Sequence, residues 1–176
     1  MKKTEAAASV FHKEQMMSTE PLSIKVKQLS QHAVIPTKAH GTDAGWDLYA
    51  AARATIAPGE TKIVSTGIAM EIPEGWYGQI KSRSGLGARG LVVTAGVVDS
   101  SYRGEIGVVV INTSLHRDGP RDEQDDESGY FTFRPGDRIA QMVFLPVPDV
   151  VFEIVDSLEE SARGANGFGS TGTGSK

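Results

Sequence analysis

Cysteine is absent from the 176 residues of this chain. That excludes a disulfide framework, a thiolate nucleophile and a thiolate zinc site, so any metal must meet oxygen or imidazole, and it fits a reducing compartment. A surplus of positive charge is missing too: 18 lysines and arginines face 22 aspartates and glutamates, for a formal net charge of −4 at pH 7. Neither nucleic acid nor an anionic membrane surface is therefore expected as a partner, and any phosphate site must be local. No apolar run approaches the length of a membrane span. Lys2 and Lys3 follow Met1 as in a signal sequence, but Thr4 to Ser9 is small and polar, and Phe11 to Glu14 breaks any apolar core. The expected location is the cytoplasm, or the host cytoplasm for a viral chain.

Long helical periods are scarce as well. Glycine (20) and proline (8) instead punctuate short apolar runs, which predicts many strands joined by turns in one all-β domain, a sandwich or barrel. Residues 1–21 lack a sustained period and read as a disordered N-terminal extension. From Leu22 the pattern changes. Leu22, Ile24 and Val26 alternate with Ser23, Lys25 and Lys27; Ile68, Met70 and Ile72 alternate with Ala69 and Glu71; Phe131 and Phe133 flank Thr132. Each predicts a half-buried strand. Apolar-rich stretches at 76–81, 105–112, 138–145 and 150–155 predict more, and only Ser84 to Arg89 and Ser157 to Ala162 suit short helical turns. The expected organisation is a β domain over 22–162 and a Gly, Ser and Thr-rich arm over 163–176. Inside the domain, residues 116–128 carry six acidic and two basic side chains. They read either as a solvated hairpin loop or as a loop that binds a cation or a regulatory partner.

Five segments carry chemistry: Ala44 to Ala50, Ser82 to Gly87, Gly96 to Gly104, Gly136 to Met142 and Arg163 to Gly172. Arg83-Ser84-Gly85 offers a guanidinium, a hydroxyl and an accessible backbone N–H at the start of a helical turn, which suits a phosphate or forms an ordinary strand-to-turn junction. Asp99 ends the apolar pair Val97-Val98; its carboxylate is an Asx-turn acceptor or a base that takes a proton from water. Tyr102 packs on a sugar or covers a core edge. Gly96, Gly104 and Gly107 bracket this stretch and mark a place where backbone approaches another group, such as a flat base. Asp47 is a structural acceptor or polarises a site, and Gln141 is a core-edge amide or orients a water. In the tail, Arg163 and Phe168 are set among small residues, as in an arm that orders on a ligand, with arginine on phosphate and phenylalanine on a base.

Together and in this order, the five segments resemble the motifs of the trimeric dUTPase family, from about Leu22 to the end. The most specific are Gly96-Val97-Val98-Asp99 with Tyr102-Arg103-Gly104, and Gly167-Phe168-Gly169-Ser170-Thr171-Gly172. The resemblance implies a jelly-roll-like distorted β-barrel (the β-clip fold) assembled as a homotrimer, with each C-terminal arm closing over a neighbour's site. It implies hydrolysis of dUTP to dUMP and pyrophosphate, which limits uracil in DNA and supplies dUMP for dTMP synthesis. Mg²⁺ is implied as cofactor, held by the phosphates and water, with no direct protein ligand and Asp47 reaching it through water. Asp99 is then the general base, Gln141 positions water, and Arg83, Ser84 and Gly85 hold phosphates from the next subunit. Tyr102 lies under the deoxyribose and excludes a 2′-hydroxyl, while the hairpin backbone, with Gly96, Val98 and Gly107, reads uracil. Arg163 reaches the terminal phosphate, and Phe168 with Gly169 covers the base.

Two features depart from the family pattern. Asn166 stands where glycine is usual in the arm, and the acidic segment 116–128 is longer than in compact members. Two rivals follow: a dCTP deaminase of the same fold, against which the tail motif argues, and a dUTPase-like regulatory protein that uses the acidic loop to bind a partner.

Overall fold

The computed structural model describes residues 21–114 and 129–166; the extension 1–20, the acidic segment 116–128, and Phe168 and Gly169 lie outside the described residues. Among the described residues, eleven strands and one short helix follow in order: β1 (Lys25–Gln28), β2 (Trp46–Tyr49), β3 (Ala54–Ile56), β4 (Thr61–Ser65), β5 (Ile68–Glu71), β6 (Trp76–Lys81), α1 (Ser84–Ala88), β7 (Leu91–Ala95), β8 (Val97–Val98), β9 (Gly107–Asn112), β10 (Phe131–Phe133) and β11 (Arg138–Pro146). They form four antiparallel sheets: β1–β5, β10–β3, β2–β11–β6–β8 and β4–β9–β7. Among the described residues no helix is long and apolar enough to cross a membrane.

Strand alternation sends one face of each strand inward. In β9, Val108, Val110 and Asn112 are buried while Gly107, Val109 and Ile111 are partly exposed. They meet Leu48, Ile56, Val64, Ile68, Ile72, Leu91, Ile106, Ile139 and Met142, all almost fully removed from water. Two polar side chains, Thr66 and Asn112, are buried with them. Asn112 Nδ2 donates to the carbonyls of Ile56 (3.1 Å) and Gly129 (2.7 Å), and its Oδ1 accepts from the N–H of Ser114 (3.0 Å). It ties the end of β9 to β3 and to the far side of the acidic segment.

Several expectations change. Ile68-Ala69-Met70 is buried on both faces rather than alternately, because β5 is covered on each side. The first strand begins at Lys25, not Leu22. Residues 150–155, expected as a strand, and Ser157 to Ala162, expected as a helical turn, form neither. Val151, Phe152 and Ile154 are 92%, 93% and 100% exposed. A strand needs a hydrogen-bonding edge, and this segment pairs with none among the described residues.

Asn112→Ala removes the side-chain donor of the buried Ile56 carbonyl and one of the two on the Gly129 carbonyl, which keeps Ser114 Oγ at 2.7 Å. The expected loss is about 2–3 kcal/mol, read as a lower urea midpoint at matched protein concentration.

Candidate functional site

The pairing of β11 with both β2 and β6 sets two motif residues and Lys81 in one row, with Asp47 opposite Gln141 and Gln141 opposite Lys81. The chain leaves β6 through Ser82 and Arg83 into α1, whose N-cap Arg83 is extended and makes no side-chain capping bond. The first N–H groups of a helix have no partner inside it, so those of Ser84 and Gly85 are available to a ligand. The result is a cavity of about 700 Å³ lined by Asp47, Arg83, Ser84, Gly85, Arg138 and Gln141, with Asp43, Gly45 and Arg89 at its margins. Three arginines against two aspartates give it a local positive excess in a chain of net charge −4. An anion is the ligand such a lining favours.

Inside this cavity Asp47 is shared between two guanidinium groups, Arg83 Nε at 2.9 Å and Arg138 Nη1 at 3.4 Å, with its side chain 15% exposed. Asp43 is engaged as well, its Oδ2 accepting from the N–H of His40 at 2.8 Å. Gln141 Nε2 donates to the carbonyl of Ser82 at 3.0 Å. Because that carbonyl needs a donor, the amide orientation is set and Oε1 turns toward Gly45. A Cβ on Gly45 would overlap Oε1, so glycine here leaves the room that the amide fills. A Cβ on Gly85, by contrast, would meet nothing within 4 Å, which leaves that space open to a ligand.

The hairpin residues lie elsewhere. Gly96, Val98, Asp99, Tyr102 and Gly107 are outside the lining of this cavity. The carbonyl of Gly96 accepts from the N–H of Ile80 at 2.7 Å, and a Cβ on Gly96 would come within 2.5 Å of the Ile80 carbonyl oxygen; only glycine permits that approach. Val98 pairs with Gly78 and turns its side chain into the core, while Val97 is 64% exposed. Asp99 is exposed, and its carbonyl accepts from the N–H of Tyr102 at 3.1 Å to close a turn. Gly107, opposite Ser65, leaves space for Ile63. Arg163 is exposed in a turn, its Nε donating to the carbonyl of Asn166 at 2.9 Å. The carboxylates held below the usual range are remote from all of this: Glu60 by the N–H of Ala57, and Glu71 by the Lys25 ammonium.

Arg138 escaped sequence reasoning. Residues three apart on a regular strand point to opposite faces, which separates Arg138 from Gln141. A shift of register between Arg138 and Ala140 restores them to one side and leaves Ile139 and Ala140 both buried. Its sequence signal was membership of the Gly136 to Met142 segment, just after the Gly136-Asp137 turn.

Fold and site together define an all-β protein with one cavity rich in arginine. A family model for dUTPase matches residues 31–118 and 124–172. The deoxyuridine 5′-triphosphate nucleotidohydrolase of Saccharomyces cerevisiae is 43% identical over 159 residues, 89% of this chain and 99% of its own. Among solved structures, the dUTPase of Staphylococcus bacteriophage 80alpha with dUPNHPP has a TM-score of 0.74 at 31% identity, over 85% of this chain and 98% of that one. A mutant dUTPase from phage phi11 of S. aureus, described for its coordination of a structural Mg(II) ion, has a TM-score of 0.70 at 29% identity, over 78% of this chain and 99% of that one. The chain belongs to the dUTPase family.

Gly45→Ala is expected to push the Gln141 amide off the Ser82 carbonyl without unfolding the protein. The Gln141 side-chain amide resonances report this directly: they should move while the far-UV circular dichroism stays unchanged, and unmoved resonances would contradict the contact.

Proposed function

We propose that the chain hydrolyses dUTP to dUMP and pyrophosphate, at sites that copies of the chain complete together in a homotrimer. The separation of the cationic cavity from the hairpin bearing Asp99 and Tyr102 carries this reading. A neighbouring copy's hairpin supplies to the cavity what its own chain keeps elsewhere. Two apolar surfaces favour such an assembly. One is the exposed segment of Val150, Val151, Phe152 and Ile154. The other is a groove of about 510 Å³ beside β1, lined by Leu22, Ile24, Val26, Ile35, Trp46 and Trp76. Each removes apolar area from water once a second copy covers it.

In this reading the polyphosphate enters the cavity, and Arg83 and Arg138 exchange the Asp47 carboxylate for phosphate oxygens, joined by the N–H groups of Ser84 and Gly85. Mg²⁺ arriving with the triphosphate would neutralise charge on its oxygens. The partly exposed Asp47 carboxylate, between Arg83 and Arg138, would meet the ion's water shell once those guanidinium groups release it. The Asp99 carboxylate takes a proton from a water, held also by Gln141. The water oxygen attacks the α-phosphorus in line, the bond to the oxygen bridging toward the β-phosphate breaks, and pyrophosphate leaves. The hairpin backbone around Val98 reads uracil, and cytosine is rejected because it would leave buried groups unpaired. Tyr102 occupies the place a 2′-hydroxyl would need. The arm from Arg163, with Phe168 and Gly169, closes over the bound nucleotide and excludes water. The body over 22–162 is the catalytic unit, residues 1–21 an extension, and the acidic loop 116–128 a candidate contact for a further partner. The compartment is cytoplasmic.

Asp99→Asn is expected to keep nucleotide binding and lower turnover by about 100- to 10,000-fold; near-normal pyrophosphate release would remove Asp99 as the base. Truncation before Arg163 should leave a trimer by light scattering with little activity, so a fully active truncation would refute the arm. A nucleotide panel scored for pyrophosphate and ammonia tests the reaction itself. Pyrophosphate from dUTP alone supports the proposal, and ammonia from dCTP overturns it.

A further inference from the structure

The hairpin from Gly96 to Gly107 stands on two feet. The first is the pairing of β8 with β6. The second is at Glu105 and Ile106, which four hydrogen bonds tie to the turn between β4 and β5. Glu105 Oε1 accepts from Ser65 Oγ and from the N–H of Gly67 (2.8 Å). The carbonyl of Ile106 accepts from Thr66 Oγ1 (2.5 Å), and its N–H donates to the carbonyl of Ile68 (2.8 Å). Gly67 sits at φ +65° against Ala51, Ala33 and Ser30, so the turn that holds Glu105 is itself fixed by packing.

The same residue holds Tyr102. The Tyr102 hydroxyl donates to the main-chain carbonyl of Glu105 at 3.0 Å. The ring crosses Gly104, where a Cβ would come within 2.7 Å of ring carbon Cζ. With its tip anchored and its underside on glycine, the ring has one orientation, and it remains 47% exposed for a ligand. The turn at Asp99 has separate support. Arg103 Nη1 donates to the carbonyls of Ser100 (2.5 Å) and Tyr102 (3.0 Å), and the Tyr102 N–H bonds to the Asp99 carbonyl. Glu105 therefore controls the ring more than the carboxylate.

We infer that Glu105 is a positioning residue for sugar discrimination: its carboxylate fixes the foot of the hairpin, and through its carbonyl the placement of the Tyr102 ring against the deoxyribose. This rests on the assignment of Tyr102 to the sugar. One oxygen accepts both hydrogen bonds, so an amide oxygen replaces it geometrically, with weaker bonds for want of charge.

The test compares kcat/KM for dUTP and for UTP in Glu105→Ala, Glu105→Gln, Ser65→Ala and Tyr102→Ala. Glu105→Ala is expected to lower the dUTP/UTP preference about tenfold or more, since a misplaced ring no longer fills the space of the 2′-hydroxyl. Glu105→Gln should stay within about threefold of the parent, as its oxygen keeps both donors. Ser65→Ala, which removes one donor and leaves the backbone bond, should fall between them and serves if Glu105→Ala does not fold. A lower Tm with unchanged preference in both Glu105→Ala and Ser65→Ala, while Tyr102→Ala loses the preference, overturns the inference and spares the sugar assignment. An unchanged preference in Tyr102→Ala overturns both.

Discussion

The ladder between β6 and β11 is the constraint on which the rest depends. Its register, running from Gln141 opposite Lys81 to Pro146 opposite Trp76, sets the distance between the strand that carries Gln141 and the strand that delivers Arg83. On its outer side β11 holds β2, placing Asp47 beside Gln141; on the other side β6 holds β8, the first foot of the Asp99 hairpin. Side chains alternate between the faces of a sheet, so a slip of one residue would send Gln141 to the far face. Buried Met142 and Ile80, paired in the same ladder, make that slip costly. Core packing and catalytic geometry are thus fixed by the same hydrogen bonds.

In the cavity Arg83 and Arg138 neutralise Asp47, which keeps a partly buried carboxylate paired. The hairpin is organised on a different principle. It is anchored through backbone contacts at Gly96 and through Glu105, which leaves Asp99 and Tyr102 facing outward from a fixed base. In the proposed function these two parts meet only when copies of the chain assemble.

Much of this was legible in the sequence. The all-β class followed from turn-bounded apolar runs, and the five ordered motifs carried the family. Asp47, Arg83, Ser84, Gly85 and Gln141, scattered over about half the chain, do line one cavity. What escaped depended on geometry that local pattern does not encode. The bulge at Arg138 reversed the parity of β11. The apolar run at 150–155 had strand composition and pairs with no edge among the described residues. Glu105 looked like one more charged residue of a turn, because its partners at Ser65 and Gly67 lie about forty residues away in sequence.

The central claim is that a site is built from more than one copy of the chain, and subunit mixing tests it most directly. Asp99→Asn and Arg83→Ala are each expected to be nearly inactive as homotrimers. Unfolded together at equal amounts and refolded, they should form trimers in which an intact hairpin meets an intact cavity at about a quarter of the interfaces, the statistical share for a cyclic assembly. The account predicts dUTP hydrolysis recovered to about that fraction of the parent rate. Mixed trimers that assemble yet remain as inactive as their parents would contradict it.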